Sequence, residues 1–171
     1  MKKVLVAGLC MGIIGCSPAR TNVLISKSEI SGVFGGVTER YNPTIVTAEN
    51  EYEKAIGLNP LLSVFYGRYR EDYEAGFDIG LKYNADDLYF KSGIGTGYES
   101  KKFEKQLTRI NIHVKIGLGF ERQIKEHRIS MGAVFDHRSN GNSFLKNFGI
   151  DVNNEPNNGV NTVGYEVGFS F

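Results

Sequence analysis

The chain has no tryptophan, and its only two cysteines, Cys10 and Cys16, lie near its start. The residues after them cannot form an internal disulfide, so a domain built from them must be stable without one. An excess of one charge is also missing, because 20 Lys and Arg residues face 19 Asp and Glu residues and leave a net charge of +1. Since an aromatic and basic stripe is absent too, the sequence argues against a nucleic-acid partner.

Sequence patterns for metal and phosphate sites are missing as well. No group of cysteines and histidines has the spacing of a metal site. No glycine-rich loop precedes a helix, as a phosphate-binding loop would. We therefore expect the protein to work without a metal or another cofactor.

The first residues have the pattern of a bacterial export signal. Met1 and two lysines precede an apolar run over residues 4–15, which is too short to cross a bilayer as a helix. Residues 13–16 resemble a bacterial lipobox, in which case Cys16 would be acylated and would tether the mature chain to a membrane. The alternative is ordinary cleavage between Gly15 and Ala19, with Cys16 incidental. We predict a signal peptide over residues 1–16 and a tether over 17–27.

Glycine and aromatic residues are abundant, with 21 Gly, 9 Tyr and 11 Phe, and they occur in short alternating runs that favour strands. The sharpest alternation covers residues 109–121. The other predicted strands cover residues 29–40, 53–68, 73–83, 88–98, 128–139 and 161–171. Pro60 cannot donate a ladder hydrogen bond, so we expect a bulge or a break there.

The two faces of these strands differ in a consistent way. One face is apolar almost to its ends, whereas the other mixes charged residues with glycines. This is typical of a transmembrane β-barrel, and inward glycines suit a narrow one. Seven strands are clear, and because bacterial barrels have an even number we expect an eighth within residues 28–60. We predict an all-β fold, a small antiparallel eight-stranded barrel over residues 28–171 in the bacterial outer membrane. The alternative is a soluble exported β-sandwich or lipocalin-like barrel, with its apolar faces inward.

The strand over residues 128–139 ends in polar residues on its apolar face. Side chains two residues apart share a face, so His137 and Ser139 continue the apolar series that ends at Phe135. A histidine beside a serine can take the hydroxyl proton and make the serine a nucleophile. Asn140 and Gly141 follow at once and could supply the donors of an oxyanion hole. The alternative is that His137 and Ser139 are simply polar residues where a strand leaves an apolar layer.

In a barrel this pair would face the membrane at its interfacial edge, where a lipid could reach it. The last strand returns antiparallel after an Asn-rich loop over residues 142–160, so Asn161 can lie beside His137 and orient its imidazole. Glu155 in that loop is the alternative third member, whereas Glu166 falls on the inward face. The other two histidines have no such setting: we expect His113 to be a polar lumen residue and His127 to be solvated in a short turn.

These residues resemble a known family. The segment from His137 to Gly141, the loop residues 156–161 and the aromatic end of the chain are similar to the PagL-type lipid A 3-O-deacylases, small acyloxyacyl-hydrolase-like barrels of the outer membrane. The strand over residues 88–97 also resembles the matching strand of that family. The resemblance implies an eight-stranded barrel, a serine-histidine-acid triad that faces the bilayer, and hydrolysis of the ester at the 3-position of lipid A. It makes His137 the base, Ser139 the nucleophile, and Asn140 with Gly141 the oxyanion hole.

One residue departs from that family. Where its best-known members carry glutamate as the third member, this chain has Asn161. Asparagine can orient an imidazole by a hydrogen bond but cannot stabilise an imidazolium with a full charge. An outer-membrane phospholipase family uses serine, histidine and asparagine with the same His-x-Ser spacing, although it has twelve strands and calcium, and this chain is too short for twelve.

Three functions therefore stay open. The first is a serine esterase that acts on lipid A in lipopolysaccharide, the second is a phospholipase or general lipid esterase, and the third is a small non-enzymatic barrel. The expected partner is lipid A in the outer membrane, and the expected assembly is a monomer or a homodimer.

Overall fold

The computed structural model describes residues 20–30, 43–52, 57–100, 109–139 and 160–170. The predicted signal peptide with Cys16, the oxyanion-hole residues Asn140 and Gly141, and the alternative orienter Glu155 lie outside the described residues. Within them the chain forms eight strands: β1 (Arg20–Ile30), β2 (Thr44–Glu51), β3 (Leu58–Tyr69), β4 (Asp72–Ala85), β5 (Leu88–Glu99), β6 (Ile110–Ile124), β7 (His127–Ser139) and β8 (Val160–Ser170).

Each strand pairs antiparallel with the next, and β8 pairs with β1, so the sheet closes into a barrel. This confirms the predicted eight-stranded antiparallel barrel. The eighth strand is β2, which lies within the predicted range of residues 28–60. No helix in the described ranges is long and apolar enough to cross a membrane.

The pairing register fixes the tilt of the strands. A path through paired residues that starts at Arg20 returns to β1 at Ile30, ten residues further along the chain. An eight-stranded barrel with this stagger has strands tilted by about 40° and a backbone radius of about 8 Å. So narrow a barrel is filled by side chains. Between Arg20 and Ile30, the paired residues that connect one strand to the next around the barrel are Glu51, Leu61, Gly80, Gly93, Lys115, Asp136 and Thr162.

The outer surface of the barrel is apolar, whereas the lumen contains many charged and polar side chains together with a few apolar ones. Apolar side chains on β3 to β8 alternate outward, as the two-residue period predicted. On β1 and β2 the exposed apolar side chains are Ile25 and Val46. Closure leaves no unpaired edge, which is what a sheet needs in order to span a lipid bilayer. The exposed apolar side chains on the outward faces of β6 and β7 are Ile110, Val114, Ile116, Leu118, Phe120, Ile124, Ile129 and Met131. The charged residues buried inside are Glu49, Glu51, Glu74, Asp78, Lys82, Glu99, Asp136, Arg138 and Glu166.

The two ends of the barrel differ in their connections. At one end, the short-turn end, the strands are joined by residues 52–57, 86–87 and 125–126. At the other, which we call the long-loop end, they are joined by residues 31–43, 70–71, 100–109 and 140–159. His137, Ser139 and Asn161 all lie at the long-loop end.

Two predictions, one at the start of the chain and one at Pro60, were wrong. The tether predicted over residues 17–27 is part of the barrel wall from Arg20 onward. Most of the strand predicted over residues 29–40 lies outside the described residues, and its first two residues belong to β1. The register of β3 runs through Pro60 without a bulge or a break. The Pro60 carbonyl accepts a hydrogen bond from the Tyr52 amide at 3.0 Å, so the missing donor faces the side on which β2 has already ended.

Candidate functional site

His137 on β7 and Asn161 on β8 are direct partners across the ladder. The Nδ1 atom of His137 lies 2.7 Å from Oδ1 of Asn161. An amide oxygen only accepts hydrogen bonds, so Nδ1 carries a proton, and in the neutral imidazole Nε2 then has the lone pair. The structure therefore places Asn161 beside His137, as the sequence predicted, and holds the imidazole in the tautomer that a base requires.

Ser139 lies two residues beyond His137 on the same outward face of β7 and pairs with Ile112 of β6. This is the side-by-side position that the alternation predicted. Ser139 and Asn161 are each 7% exposed, whereas His137 is half-buried. The three residues thus lie on the outward faces of two adjacent strands, with His137 hydrogen-bonded to Asn161 and Ser139 two residues along β7 from His137.

The surroundings of these residues are apolar on the outer wall. Val114 pairs with His137 from the β6 side, and Phe135 and Val163 pair with each other on the side toward the barrel middle. Val114 and Val163 are exposed. His137 and Ser139 extend the apolar outer face of β7 at the end of that strand. They therefore lie at the boundary between the hydrocarbon core and the lipid headgroups.

Arg138 lies between His137 and Ser139 in sequence and points the opposite way, into the lumen, where it is fully buried. It forms an ion pair with Glu74 of β4. Its Nε donates to Asp136 Oδ2 at 2.8 Å, and its NH1 atom lies 3.6 Å from Glu99 Oε1. We did not predict this cluster. The alternation does place residue 138 on the lumen face, but the partners across the barrel are invisible in the sequence.

Two other predicted residues lie in the lumen and do not join the site. His113 is fully buried, with Nδ1 at 3.6 Å from Asp136 Oδ1, so it is the lumen residue that we expected. Glu166 faces inward, as predicted, where it accepts a hydrogen bond from Tyr89 at 3.0 Å and pairs with Lys91 at 2.6 Å.

His127 was predicted to lie in a turn, but it begins β7. It is exposed, and its ring lies 4.9 Å from that of Phe169. It sits at the short-turn end of the barrel, so it is remote from Ser139.

Comparison with known proteins identifies the fold. No protein-family model matches this chain, and no curated protein does. The crystal structure of the outer membrane enzyme PagL superposes with a TM-score of 0.55 and 13% identity over 88% of this chain and 98% of its own. Neisserial surface protein A gives 0.55 and 9% identity, covering 88% and 94% of the two chains. The N-terminal barrel of Pseudomonas aeruginosa OprF gives 0.54 and 14%, covering 90% and 98%.

At these identities the likeness shows the fold alone. The closed eight-stranded barrel, its lipid-facing outer surface and its outer-membrane neighbours together place this protein in the bacterial outer membrane.

Proposed function

We propose that this protein is an outer-membrane serine esterase that removes the 3-O-linked acyl chain from lipid A. One observation carries the proposal: the 2.7 Å hydrogen bond between His137 and Asn161, on the lipid-facing wall and beside Ser139. A base in a fixed tautomer next to a hydroxyl is the arrangement of a serine hydrolase. The resemblance of residues 137–141 to lipid A 3-O-deacylases supports lipid A as the substrate.

The reaction would proceed through an acyl-enzyme. Nε2 of His137 takes the Ser139 hydroxyl proton while the oxygen attacks the ester carbonyl. His137 then gives that proton to the departing oxygen at the 3-position of lipid A, and the acyl chain stays on Ser139. His137 then takes a proton from a water molecule while the water oxygen attacks the acyl-enzyme carbonyl, and His137 returns that proton to the Ser139 oxygen as the fatty acid leaves. Asn140 and Gly141, directly after Ser139, remain the predicted donors to the oxyanion.

Asn161 fixes the orientation of the imidazole throughout these steps. As a neutral amide it accepts a hydrogen bond from the Nδ1–H group of His137, but it contributes no full negative charge when His137 becomes an imidazolium. A hydrogen bond to a charged acceptor is about twice as strong as one to a neutral acceptor. We therefore expect a slower reaction than a glutamate would support.

The first experiment is mass spectrometry of lipid A from Gram-negative cells that express the wild type, Ser139→Ala or Ser130→Ala. Ser130 lies on the same strand but faces the lumen and is buried, so it is the matched control. We expect the wild type and Ser130→Ala to remove one 3-hydroxyacyl group, and Ser139→Ala to leave lipid A intact. A heat-dependent shift in gel mobility checks that each barrel is folded, and detergent extracts are assayed as well.

If the wild-type barrel is folded but does not hydrolyse lipid A, either in cells or in detergent, the lipid A proposal is refuted. Ser139-dependent hydrolysis of phospholipid instead would assign the site to a phospholipase. The second candidate function is a non-enzymatic barrel, which the low exposure of Ser139 favours because an ester carbonyl must reach its hydroxyl. Absence of hydrolysis on both lipid classes would support that candidate.

A further inference from the structure

Three arginines lie exposed at the long-loop end of the wall formed by β3 to β6. Arg68 lies near the end of β3, Arg70 in the turn between β3 and β4, and Arg109 directly before β6. By the alternation of β3, Arg68 continues the outward series of Val64 and Tyr66. The Arg68 guanidinium therefore belongs to the outer surface, at the edge of the apolar belt. The Arg70 guanidinium lies at the rim beside it, over the Tyr69 ring at 5.2 Å from the ring centroid.

Tyrosines build the floor of this surface. The ring of Tyr73 stacks on that of Tyr66, with 6.4 Å between centroids and 18° between planes, and lies 6.3 Å from the ring of Tyr98. All three rings are exposed on the outer wall. Tyrosine in this position is typical of the membrane interface, where its ring meets hydrocarbon and its hydroxyl meets headgroups.

Hydrogen bonds orient two of the arginines on this floor. NH1 of Arg109 donates to the Tyr98 hydroxyl at 3.0 Å, and Nε of Arg68 donates to the Arg70 carbonyl at 3.2 Å. We call the six residues the arginine–tyrosine patch: Arg68, Arg70, Arg109, Tyr66, Tyr73 and Tyr98.

The patch carries a net positive charge. Among the described residues of this rim, three guanidinium groups face one exposed carboxylate, that of Glu71 in the same turn. The neighbouring Asp72 is half-buried and accepts a hydrogen bond from the Ser100 hydroxyl at 3.1 Å. Arg138 in the lumen is by contrast surrounded by carboxylates. An outward cationic surface at headgroup depth calls for an anionic partner in the membrane.

We propose that the arginine–tyrosine patch binds the phosphate groups of lipid A in the outer leaflet. Barrels of this kind place short turns in the periplasm and longer loops outside, so the patch faces the outer leaflet. Guanidinium groups bind phosphate oxygens in bidentate geometry. The choice of lipid A among phosphorylated lipids rests on the proposed function.

The position of the patch suits a substrate of the candidate site. Tyr98 pairs with Ile110 of β6, and two residues further along the same strand Ile112 pairs with Ser139. Since adjacent strands lie about 5 Å apart, β5 and β7 are separated by about 10 Å. A phosphorylated glycolipid held by Arg109 would present an ester near Ser139 without leaving the outer wall.

The test is a binding titration followed by native mass spectrometry of the full-length barrel in detergent. All proteins carry Ser139→Ala, so that the lipid stays intact. The probes are diphosphorylated lipid A, the same lipid A without phosphates, and inorganic phosphate. The test variant is Arg68→Gln with Arg70→Gln and Arg109→Gln. The matched control is Arg122→Gln, because Arg122 is exposed on β6 near the short-turn end.

We expect the triple variant to bind diphosphorylated lipid A about tenfold more weakly or worse, because charge-assisted hydrogen bonds are lost. Arg122→Gln should bind like the parent, and lysine at the three positions should restore part of the affinity. The affinity of the parent for lipid A without phosphates should be no higher than the affinity of the triple variant for diphosphorylated lipid A. Gel mobility before and after heating verifies folding.

Equal affinity of the triple variant and the parent would overturn the proposal, as would an equal loss in Arg122→Gln. Arginine-dependent binding of inorganic phosphate, with no preference for the lipid, would assign the patch to free phosphate and refute the lipid. Phosphate-dependent lipid binding without Ser139-dependent hydrolysis would keep the patch and refute the esterase. Ser139-dependent hydrolysis without arginine-dependent binding would support the esterase and refute the binding role of the patch.

Discussion

Arg138 forms an ion pair with Glu74 across the inside of the barrel, behind the outward-facing His137 and Ser139. The two residues come from β7 and β4, which are not neighbours in the sheet. Both are almost completely buried, and Asp136 and Glu99 complete the carboxylate shell of the guanidinium. The strand segment that carries the candidate site is thus anchored through the lumen to the opposite wall.

Replacement of Arg138 by methionine should strongly destabilise the barrel. It removes the only positive partner that Glu74 has among the ion pairs described for it, and it leaves buried carboxylates without compensation. Breaking a buried pair in this way costs about 3–5 kcal/mol. The free energy of unfolding in urea, measured on barrels refolded into lipid vesicles, should fall by that amount.

A double variant separates the pair from simple loss of volume. If the ion pair is responsible, Glu74→Gln combined with Arg138→Met should recover part of the loss, since one uncompensated carboxylate is removed. A double variant as unstable as the sum of the two single variants would contradict this account.

Asn161 should control the rate of ester hydrolysis rather than substrate affinity. Asn161→Ala removes the acceptor for Nδ1 of His137 and should lower kcat about tenfold or more, with little change in KM. Asn161→Glu, which supplies a full charge, should raise kcat severalfold. Rates on lipid A in detergent micelles measure both effects. Thr162→Ser is the control, because Thr162 is fully buried in the lumen, and an equal loss in that variant would contradict a role specific to Asn161.

Two glycines on the same face of β5 should differ in their tolerance of a methyl group. A Cβ at Gly95 would collide with the backbone oxygen of Phe77 and lie 2.7 Å from Cα of Asp78, whereas at Gly93 the nearest atom, the Ile79 oxygen, is 3.2 Å away. We expect Gly95→Ala to lower the free energy of unfolding by about 1–3 kcal/mol and Gly93→Ala by less. Equal values in urea titrations would show that the lumen wall adapts to either methyl group.

The cost of an arginine on the outer wall should depend on its depth in the bilayer. Ile116 lies in the middle of β6 and Ile124 at its short-turn end, and both are exposed. Ile116→Arg should cost about 2–4 kcal/mol and Ile124→Arg about 0–1 kcal/mol. Unfolding titrations in lipid vesicles give both values. If Ile116→Arg hardly lowers the free energy of unfolding, this surface does not lie in hydrocarbon.

The candidate site was accessible to sequence reasoning because it depends on short-range geometry. The two-residue period of β7 places His137 and Ser139 outward, and the antiparallel return of β8 brings Asn161 close. The same reasoning failed for strands that carry apolar side chains on both faces. Leu24 on β1 and Ile45 on β2 point inward and are buried, which hides the alternation there. The start of the barrel was therefore mistaken for a tether.

The sequence by itself determined which face of each clear strand meets lipid, since side-chain direction in a strand alternates with every residue. It also placed the histidine and the serine on the lipid-facing side. Only the tertiary structure decided the stagger of the closed barrel, the pairing of Arg138 with Glu74, and the grouping of Arg68 and Arg109 on one rim. These relationships depend on how strands far apart in the chain align, and that alignment is a property of the whole closed sheet rather than of any segment.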